Sequence, residues 1–331
     1  MAPEFMNRQE LTEYYIEVIL ANGWHWFGYH FFQYAKGKEH PLAYSIIDAC
    51  LDCENKMPGF SKLFSDRMAS YRGKEKFIPH YEQLIQMLAE LLVISHLCRK
   101  CVKGEIFTHE PTIQGSPKNP ELLMEDGTQK IIVEVKCREF IQFHNARSDA
   151  GVQVAARAEG IRGIAEQIAG PEELIVYPRD NTVKDFLVSA DEKFKPFKNN
   201  DQNVLSVLVI VWDDFIYEPI SSLTNKYSGL LTENSFFETN SAPHIFANID
   251  AIVLLRHSHQ IVRATRDEPC CDGIQHAMDY GTEFTCFPKA VVPVNANQEQ
   301  LDLIIDLFEG THIEELQMVS DYRPQEVIMR I

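Results

Sequence analysis

Residues 120–136, which read PELLMEDGTQKIIVEVK, carry the residue types in this chain that are best suited to chemistry. Glu121 starts a short apolar run, Asp-Gly follows at 126–127, and a second apolar run ends with Glu134 and Lys136. Asp-Gly between two apolar runs is typical of a tight hairpin turn. Because side chains alternate along a strand, Glu134 and Lys136 should share one face, and the hairpin should return Glu121 beside them. Two carboxylates and one ammonium at a strand end suit a hard divalent cation such as Mg²⁺ or Mn²⁺.

The composition is that of a globular protein large enough to form a substantial core. The chain has 331 residues, of which 45% are hydrophobic and 24% are charged. It contains no apolar run of the roughly 18 residues that a membrane-spanning helix needs. We therefore expect a cytoplasmic protein without a membrane partner, built as one large domain with an appendage or as two domains.

The net charge gives only weak information about partners. A formal charge of −17 disfavours non-specific attraction of nucleic acid to the whole surface. It leaves room for a local basic channel beside the proposed site. A homodimer or a larger complex is also compatible with the sequence.

Apolar periodicity divides the chain into three parts. Residues 6–78 show helical spacing without strand alternation, and a long amphipathic helix then runs from about residue 80 to 98 with Glu90 inside its apolar stretch. A buried carboxylate in such a helix must be paired, protonated or bound to metal. After this helix the pattern predicts strands at 105–108, from 121, at 131–136, 174–177 and 204–212, a helix at 158–168 ended by Gly170-Pro171, and a loop at 178–202. Beyond residue 215 it predicts strands at 249–255, 261–264 and 290–294 and a helix at 298–308.

The order helix, three strands, helix, strand around these residues resembles the PD-(D/E)xK nuclease superfamily, which has the restriction-endonuclease-like fold. The resemblance covers about residues 80–177. It rests on Glu90 in the helix, on Pro-Glu at 120–121 where the family typically has Pro-Asp, and on Glu134-x-Lys136. It implies an α/β fold with an αβββαβ core and a mixed central sheet at 79–215, an N-terminal helical region at 6–78 and a C-terminal α/β extension at 216–331.

The resemblance also implies roles for individual residues. Glu121 and Glu134 would be the principal metal ligands, assisted by the backbone carbonyl of Val135. Lys136 would orient the attacking water or offset charge on the phosphoryl oxygens. Glu90 would complete the cluster through metal-bound water, and Gln167 would contact the substrate. The implied activity is Mg²⁺- or Mn²⁺-dependent hydrolysis of phosphodiester bonds, with DNA favoured over RNA.

Other interpretations remain open at this point. The charged trio could be a solvated group on an edge strand, and the chain could be a nuclease-fold module that binds nucleic acid or a partner protein without catalysis. Two Cys-x-x-Cys pairs, Cys50/Cys53 and Cys98/Cys101, have zinc-ligand spacing, but they fall in helical segments and reduced thiols are the favoured interpretation. Ordinary side chains are likewise favoured for a second group of histidines and cysteines: His257, His259, Cys270, Cys271, His276 and Cys286.

Overall fold

The structure is a computed structural model that describes residues 7–21, 23–72, 76–101, 104–113, 118–139, 141, 152–154, 161–169, 175–176, 179–201, 203–282, 287–325 and 329–330. These residues form eleven α-helices, twelve strands and one 3₁₀ turn. Among them, no helix is both long and apolar enough to cross a lipid bilayer.

The N-terminal part is helical. Its four helices are α1 (Arg8–Leu20), α2 (Gly28–Ala35), α3 (Pro41–Glu54) and α4 (Phe60–Ser70). The long helix α5 (Ile78–Lys100) follows and has proline in its first turn, where the missing N–H costs nothing. The predicted helix at 80–98 is thus confirmed, slightly extended at both ends.

The segment after α5 forms the three predicted strands, which pair as an antiparallel meander. Its strands are β1 (Ile106–His109), β2 (Leu122–Glu125) and β3 (Lys130–Cys137). The Asp126 carboxylate closes the turn between β2 and β3, since Oδ1 accepts from the backbone N–H of Thr128 at 2.9 Å and of Gln129 at 2.7 Å. Gly127 has φ +88°, a left-handed conformation that glycine adopts without strain. The Asp-Gly hairpin predicted from sequence is confirmed.

The chain then forms four further elements and the most buried strand of the central sheet. These are β4 (Val152–Val154), α6 (Ile161–Ile168), β5 (Ile175–Val176), α7 (Asp180–Asn200) and β6 (Val204–Trp212). Every residue of β6 is buried, because the strand is covered on both faces. The remaining elements are α8 (Tyr217–Thr224), β7 (Glu238–Thr239), β8 (Ala242–Pro243), β9 (Ala251–Arg256), α9 (Ser258–Thr265), β10 (Lys289–Pro293), α10 (Gln298–Phe308), β11 (Gly310–His312), α11 (Ile313–Leu316), the 3₁₀ turn Ser320–Tyr322 and β12 (Met329–Arg330).

Seven strands form one mixed central sheet in the order β1-β2-β3-β6-β9-β10-β11. The strands β1 to β3 are antiparallel, whereas β6 is parallel to both β3 and β9. Alternate residues of the central strands belong to two apolar cores, one under α1 to α5, α9 and α10, and the other under α7, α8 and α11. The α/β class and the mixed sheet are therefore as expected from sequence. The first core runs from Leu11 to Phe308, so it is continuous across all three predicted parts of the chain.

Two predictions about individual elements were wrong. The segment 178–202, expected to be a loop, contains the 21-residue helix α7. Residues 261–264, expected to be a strand, lie in α9, because a short apolar run does not distinguish the two structures. The strand expected at 174–177 is present at Ile175–Val176, while positions 174 and 177 lie outside the described residues, and it pairs with β4 in a separate three-stranded sheet.

In the central sheet, the parallel neighbour of β3 is β6, which follows α7. The helix predicted at 158–168 is present as α6, but Ala158 and the Gly170-Pro171 end lie outside the described residues.

Candidate functional site

Three glutamates lie side by side across the three adjacent strands β1, β2 and β3 of the central sheet. Glu110 directly follows β1, Glu121 directly precedes β2, and Glu134 lies within β3. Backbone bonds fix their relative positions: Glu110 N donates to Glu121 O, and Glu121 N donates to Val133 O, each at 3.0 Å. Because the meander brings the end of one strand beside the start of the next, residues distant in sequence meet here.

Glu134 is the most buried member of this group. Its side chain has no exposed surface, and its Oε1 lies 2.6 Å from Lys136 Nζ and 2.7 Å from Lys193 Nζ. Lys193 also donates to Glu134 Oε2 at 2.9 Å. A buried carboxylate must be compensated by opposite charge, and here two ammonium groups provide it.

Lys193 links two of the glutamates, since its Nζ also lies 3.7 Å from Glu121 Oε1. The structure therefore brings together the two carboxylates and the Lys136 ammonium that the hairpin argument placed at one strand end. Their metal-binding and catalytic roles stay predictions.

Sequence reasoning missed Lys193 because its helix was interpreted as a loop. The helix α7 covers one face of the sheet with an apolar stripe that recurs at steps of four and three residues: Val183, Leu187, Ala190, Phe194 and Phe197. That spacing is typical of an amphipathic helix and could have identified it. The abundance of Lys, Asp and Asn and the presence of Pro196 inside the helix concealed the pattern.

Burial, together with neighbouring negative charge, raises the pKa of two further carboxyl groups. Burial raises the pKa of Glu121 to about 7, and the neighbouring Glu134 charge adds to the shift. Burial likewise raises the pKa of Glu90 to about 8, with the Glu121 charge as the next cause. Glu90, on α5, is thus near enough to Glu121 for that charge to affect its pKa, and its predicted role in the cluster stays a prediction. Its Oε2 is 3.8 Å from Arg67 Nη1.

Val135 and Gln167, the other predicted site residues, differ in how well their positions suit their predicted roles. The Val133 carbonyl points toward β2, where it accepts from Glu121 N. Carbonyls two residues apart in a strand point the same way. The Val135 carbonyl is therefore on the β2 side of β3, beyond Leu122, where the pairing of β2 with β3 stops. Gln167 is exposed on α6. Its predicted contact with the substrate stays a prediction.

Glu121 also belongs to a second grouping that sequence reasoning did not anticipate. One ligand atom each from His109, Glu110 and Glu121 lie within 4.8 Å of one another. Carboxylate oxygens are the ligands that Mg²⁺ and Mn²⁺ prefer, and imidazole is a common additional ligand for transition metals. The donor set around Glu121 therefore fits a divalent cation, although Glu90 and Glu134 are not members of this closest group.

Side chains outside the glutamate cluster have other contacts. Asp213, which directly follows β6, pairs with the buried guanidinium of Arg179 at 2.7 Å. The Tyr15 hydroxyl lies 2.9 Å from Cys50 Sγ. Burial raises the pKa of Cys50 to about 12 and that of Cys101 to about 11, so both are neutral thiols near pH 7. That these cysteines do not share a zinc ion stays a prediction.

No family model, no curated protein and no solved structure matches this chain. The residues of the site are therefore the basis on which a function is inferred.

Proposed function

We propose that this chain is a metal-dependent nuclease of the PD-(D/E)xK type that hydrolyses phosphodiester bonds, with DNA as the favoured substrate. The observation that carries the proposal is the convergence of Glu121, Glu134, Lys136 and Lys193 at one end of a mixed sheet. The elements α5, β1, β2, β3, α7 and β6 support it, because they follow the αβββαβ order of the nuclease core once β4, α6 and β5, which lie between β3 and α7 and whose strands belong to a separate sheet, are set aside.

The chemistry requires both kinds of charge. Phosphodiester hydrolysis builds negative charge on the phosphoryl oxygens and on the leaving oxygen. A divalent cation, when bound, offsets this charge and lowers the pKa of a coordinated water. Glu121 would hold it together with Glu134 or with the neighbouring His109 and Glu110.

The two lysines would act on the substrate side of the reaction. Lys136 and Lys193 now neutralise Glu134, and a cation bound by the glutamates would release at least one ammonium for contact with phosphate. Glu90, with a pKa raised to about 8, can hold a proton near neutral pH and supply it within the cluster.

The direct test is cleavage of mixed single- and double-stranded DNA and RNA with Mg²⁺ or Mn²⁺, compared with EDTA. Lys136→Ala should lower cleavage by about two to four orders of magnitude, the usual range for a positioned catalytic group. Lys130→Ala is the matched control, because Lys130 lies in the same strand but is exposed and pairs with Glu125. Equal activity of both variants, or metal-independent cleavage, would contradict the proposal.

One observation favours a second candidate, a nuclease-fold module that binds nucleic acid or protein without catalysis. Two lysines already compensate the charge of Glu134, so this carboxylate does not need a metal cation to balance it. Under this alternative, divalent cations would not change the melting temperature, and no nucleic acid would be cleaved by the wild type. Nucleic acid binding that is unaffected by EDTA would then support the module.

A further inference from the structure

A second cluster of ligand-type side chains lies on the far side of β6 from the glutamate-bearing strands, where β9 ends and α9 begins. One atom each from His259, Cys271 and Asp272 lie within 4.8 Å of one another. His259 is in the first turn of α9, whereas Cys271 and Asp272 belong to the loop after that helix. His259 has a side chain only 9% exposed. The neighbouring His257 is different, because its Nε2 already contacts the Ala277 carbonyl at 2.8 Å.

The orientation of Gln260 shows which atoms face this cluster. Its Oε1 accepts from the backbone N–H of Cys271 at 2.9 Å, which directs the amide nitrogen the other way. That nitrogen lies 2.9 Å from His259 Nε2, 3.2 Å from Asp272 Oδ2 and 3.3 Å from Cys271 Sγ. An amide nitrogen can only donate, so the His259 nitrogen that faces it must present its lone pair.

The Gln260 amide nitrogen consequently faces four acceptors but carries two hydrogens, while the Cys271 thiol lies 3.6 Å from Gln260 Oε1. Gln260 offers two N–H groups, but the Cys271 carbonyl at 3.1 Å competes for them with the three side-chain atoms. If His259 carried a proton on Nε2 for Asp272, at 3.2 Å, that proton would oppose the Gln260 amide. A cation among the three side chains would resolve the conflict, because each would then direct a lone pair to it.

We propose that His259, Cys271 and Asp272 bind a zinc ion. One nitrogen, one sulfur and one oxygen ligand suit zinc, whereas Mg²⁺ requires oxygen ligands. With metal–ligand bonds of about 2.0 to 2.3 Å, tetrahedral zinc ligands lie roughly 3.3 to 3.8 Å apart, a spacing that the cluster reaches with small side-chain movements. Arg256 Nη1, 3.4 Å from Asp272 Oδ2, remains beside the site and would share that carboxylate with the metal. Water would complete the fourth position.

The consequence of the site is structural. Cys271 and Asp272 lie in the loop between α9 and β10, and Asp272 has φ +59°. The ion would fasten this loop to α9 and thereby to the end of β9. Zinc should therefore raise the melting temperature by mass action, independently of the glutamate cluster.

The test uses the full chain produced with zinc and freed of loose metal by desalting. Elemental analysis should find about one zinc per chain, and replacement by Co²⁺ should give a thiolate-to-cobalt charge-transfer band. Cys271→Ser should abolish the band and most of the zinc. Cys270→Ser, which changes the adjacent thiol, should retain both, and so should Cys98→Ser and Glu134→Gln.

Asp272→Asn provides a second variant that keeps the fold accessible, since asparagine tolerates a positive φ. It should lower zinc affinity at least tenfold, while Mg²⁺ should not displace zinc from either protein. Absence of bound zinc in the wild type, or equal zinc content in the Cys270 and Cys271 variants, would overturn the proposal. Zinc lost on replacing Cys98 would assign the metal to the N-terminal cysteines instead.

Discussion

Lys193 on α7 forms an ion pair with Glu134 on β3, from which it is separated by 59 positions in the chain. The ammonium nitrogen lies 2.7 Å from one carboxylate oxygen and 2.9 Å from the other. A helix that covers one face of the sheet thus supplies a charge that compensates a fully buried carboxylate. This contact couples the stability of the helix layer to the chemistry of the cluster.

Replacing Glu134 should affect both stability and activity. Glu134→Gln leaves the Lys136 ammonium without its Glu134 partner and Lys193 with the 3.7 Å contact to Glu121, so we expect a loss of about 2 kcal/mol in the free energy of unfolding of the metal-free protein. Cleavage and the rise in melting temperature with Mg²⁺ or Mn²⁺ should both fall. Urea unfolding in EDTA and a metal titration of the melting temperature measure the two effects. Glu192→Gln, which changes an exposed residue on α7, should alter neither.

Replacing Lys193 should make the protein more dependent on metal. Lys193→Met removes one of the two positive charges beside Glu134, so the metal-free protein should be less stable. A divalent cation would replace that charge, and the rise in melting temperature on adding Mg²⁺ should therefore exceed that of the wild type. Lys195→Met is the matched control, because Lys195 is exposed on the same helix. If metal stabilises the Lys193 variant no more than the control, the cation and Lys193 do not compete for the same carboxylates.

The stability of the metal-free protein should decrease as the pH rises from about 5 to 8. The pKa of Glu90 is raised by burial from its ordinary value of 4.5 to about 8. In that interval the folded protein keeps a proton that the unfolded chain has lost, so the free energy of unfolding falls with pH. Glu90→Gln cannot titrate, and its stability should decrease less steeply over the same interval. Urea unfolding in EDTA across this pH range would show the difference as a change of slope.

Parallel slopes for the wild type and the Glu90 variant would mean that Glu90 is ionised in the folded protein. Glu125→Gln is a suitable control, since Glu125 is partly exposed on β2 and pairs with Lys130. It should reproduce the wild-type slope.

The buried guanidinium of Arg179 should contribute to stability without contributing to catalysis. It pairs with Asp213 at 2.7 Å and with Glu218 at 2.6 Å, and all three side chains are nearly inaccessible to solvent. Arg179→Met removes the buried charge that pairs with two buried carboxylates, which typically costs about 3 to 5 kcal/mol. The free energy of unfolding should fall by that amount, while cleavage by the folded fraction should persist. If folded Arg179→Met protein lost as much cleavage activity as Lys136→Ala, Arg179 would instead take part in the reaction.

The sequence by itself determined the local parts of the site. Asp126 and Gly127 specify a tight turn whose hydrogen bonds form within a few residues, and strand alternation then sets Glu134 and Lys136 on one face. The helix at 298–308 was likewise predictable, because Asn297 and Gln300 form a capping box from side chains only three positions apart. Each of these features depends on neighbours in the chain.

Only the tertiary structure decided which distant groups complete the cluster. Lys193 reaches Glu134 because α7 packs on one face of the sheet, and His109 and Glu110 reach Glu121 because β1 lies beside β2. It likewise showed that the acceptors of His259, Cys271 and Asp272 converge on Gln260. Sequence periodicity records which face of an element is apolar, but it does not record which element covers that face. The partners of buried charges are therefore fixed by packing.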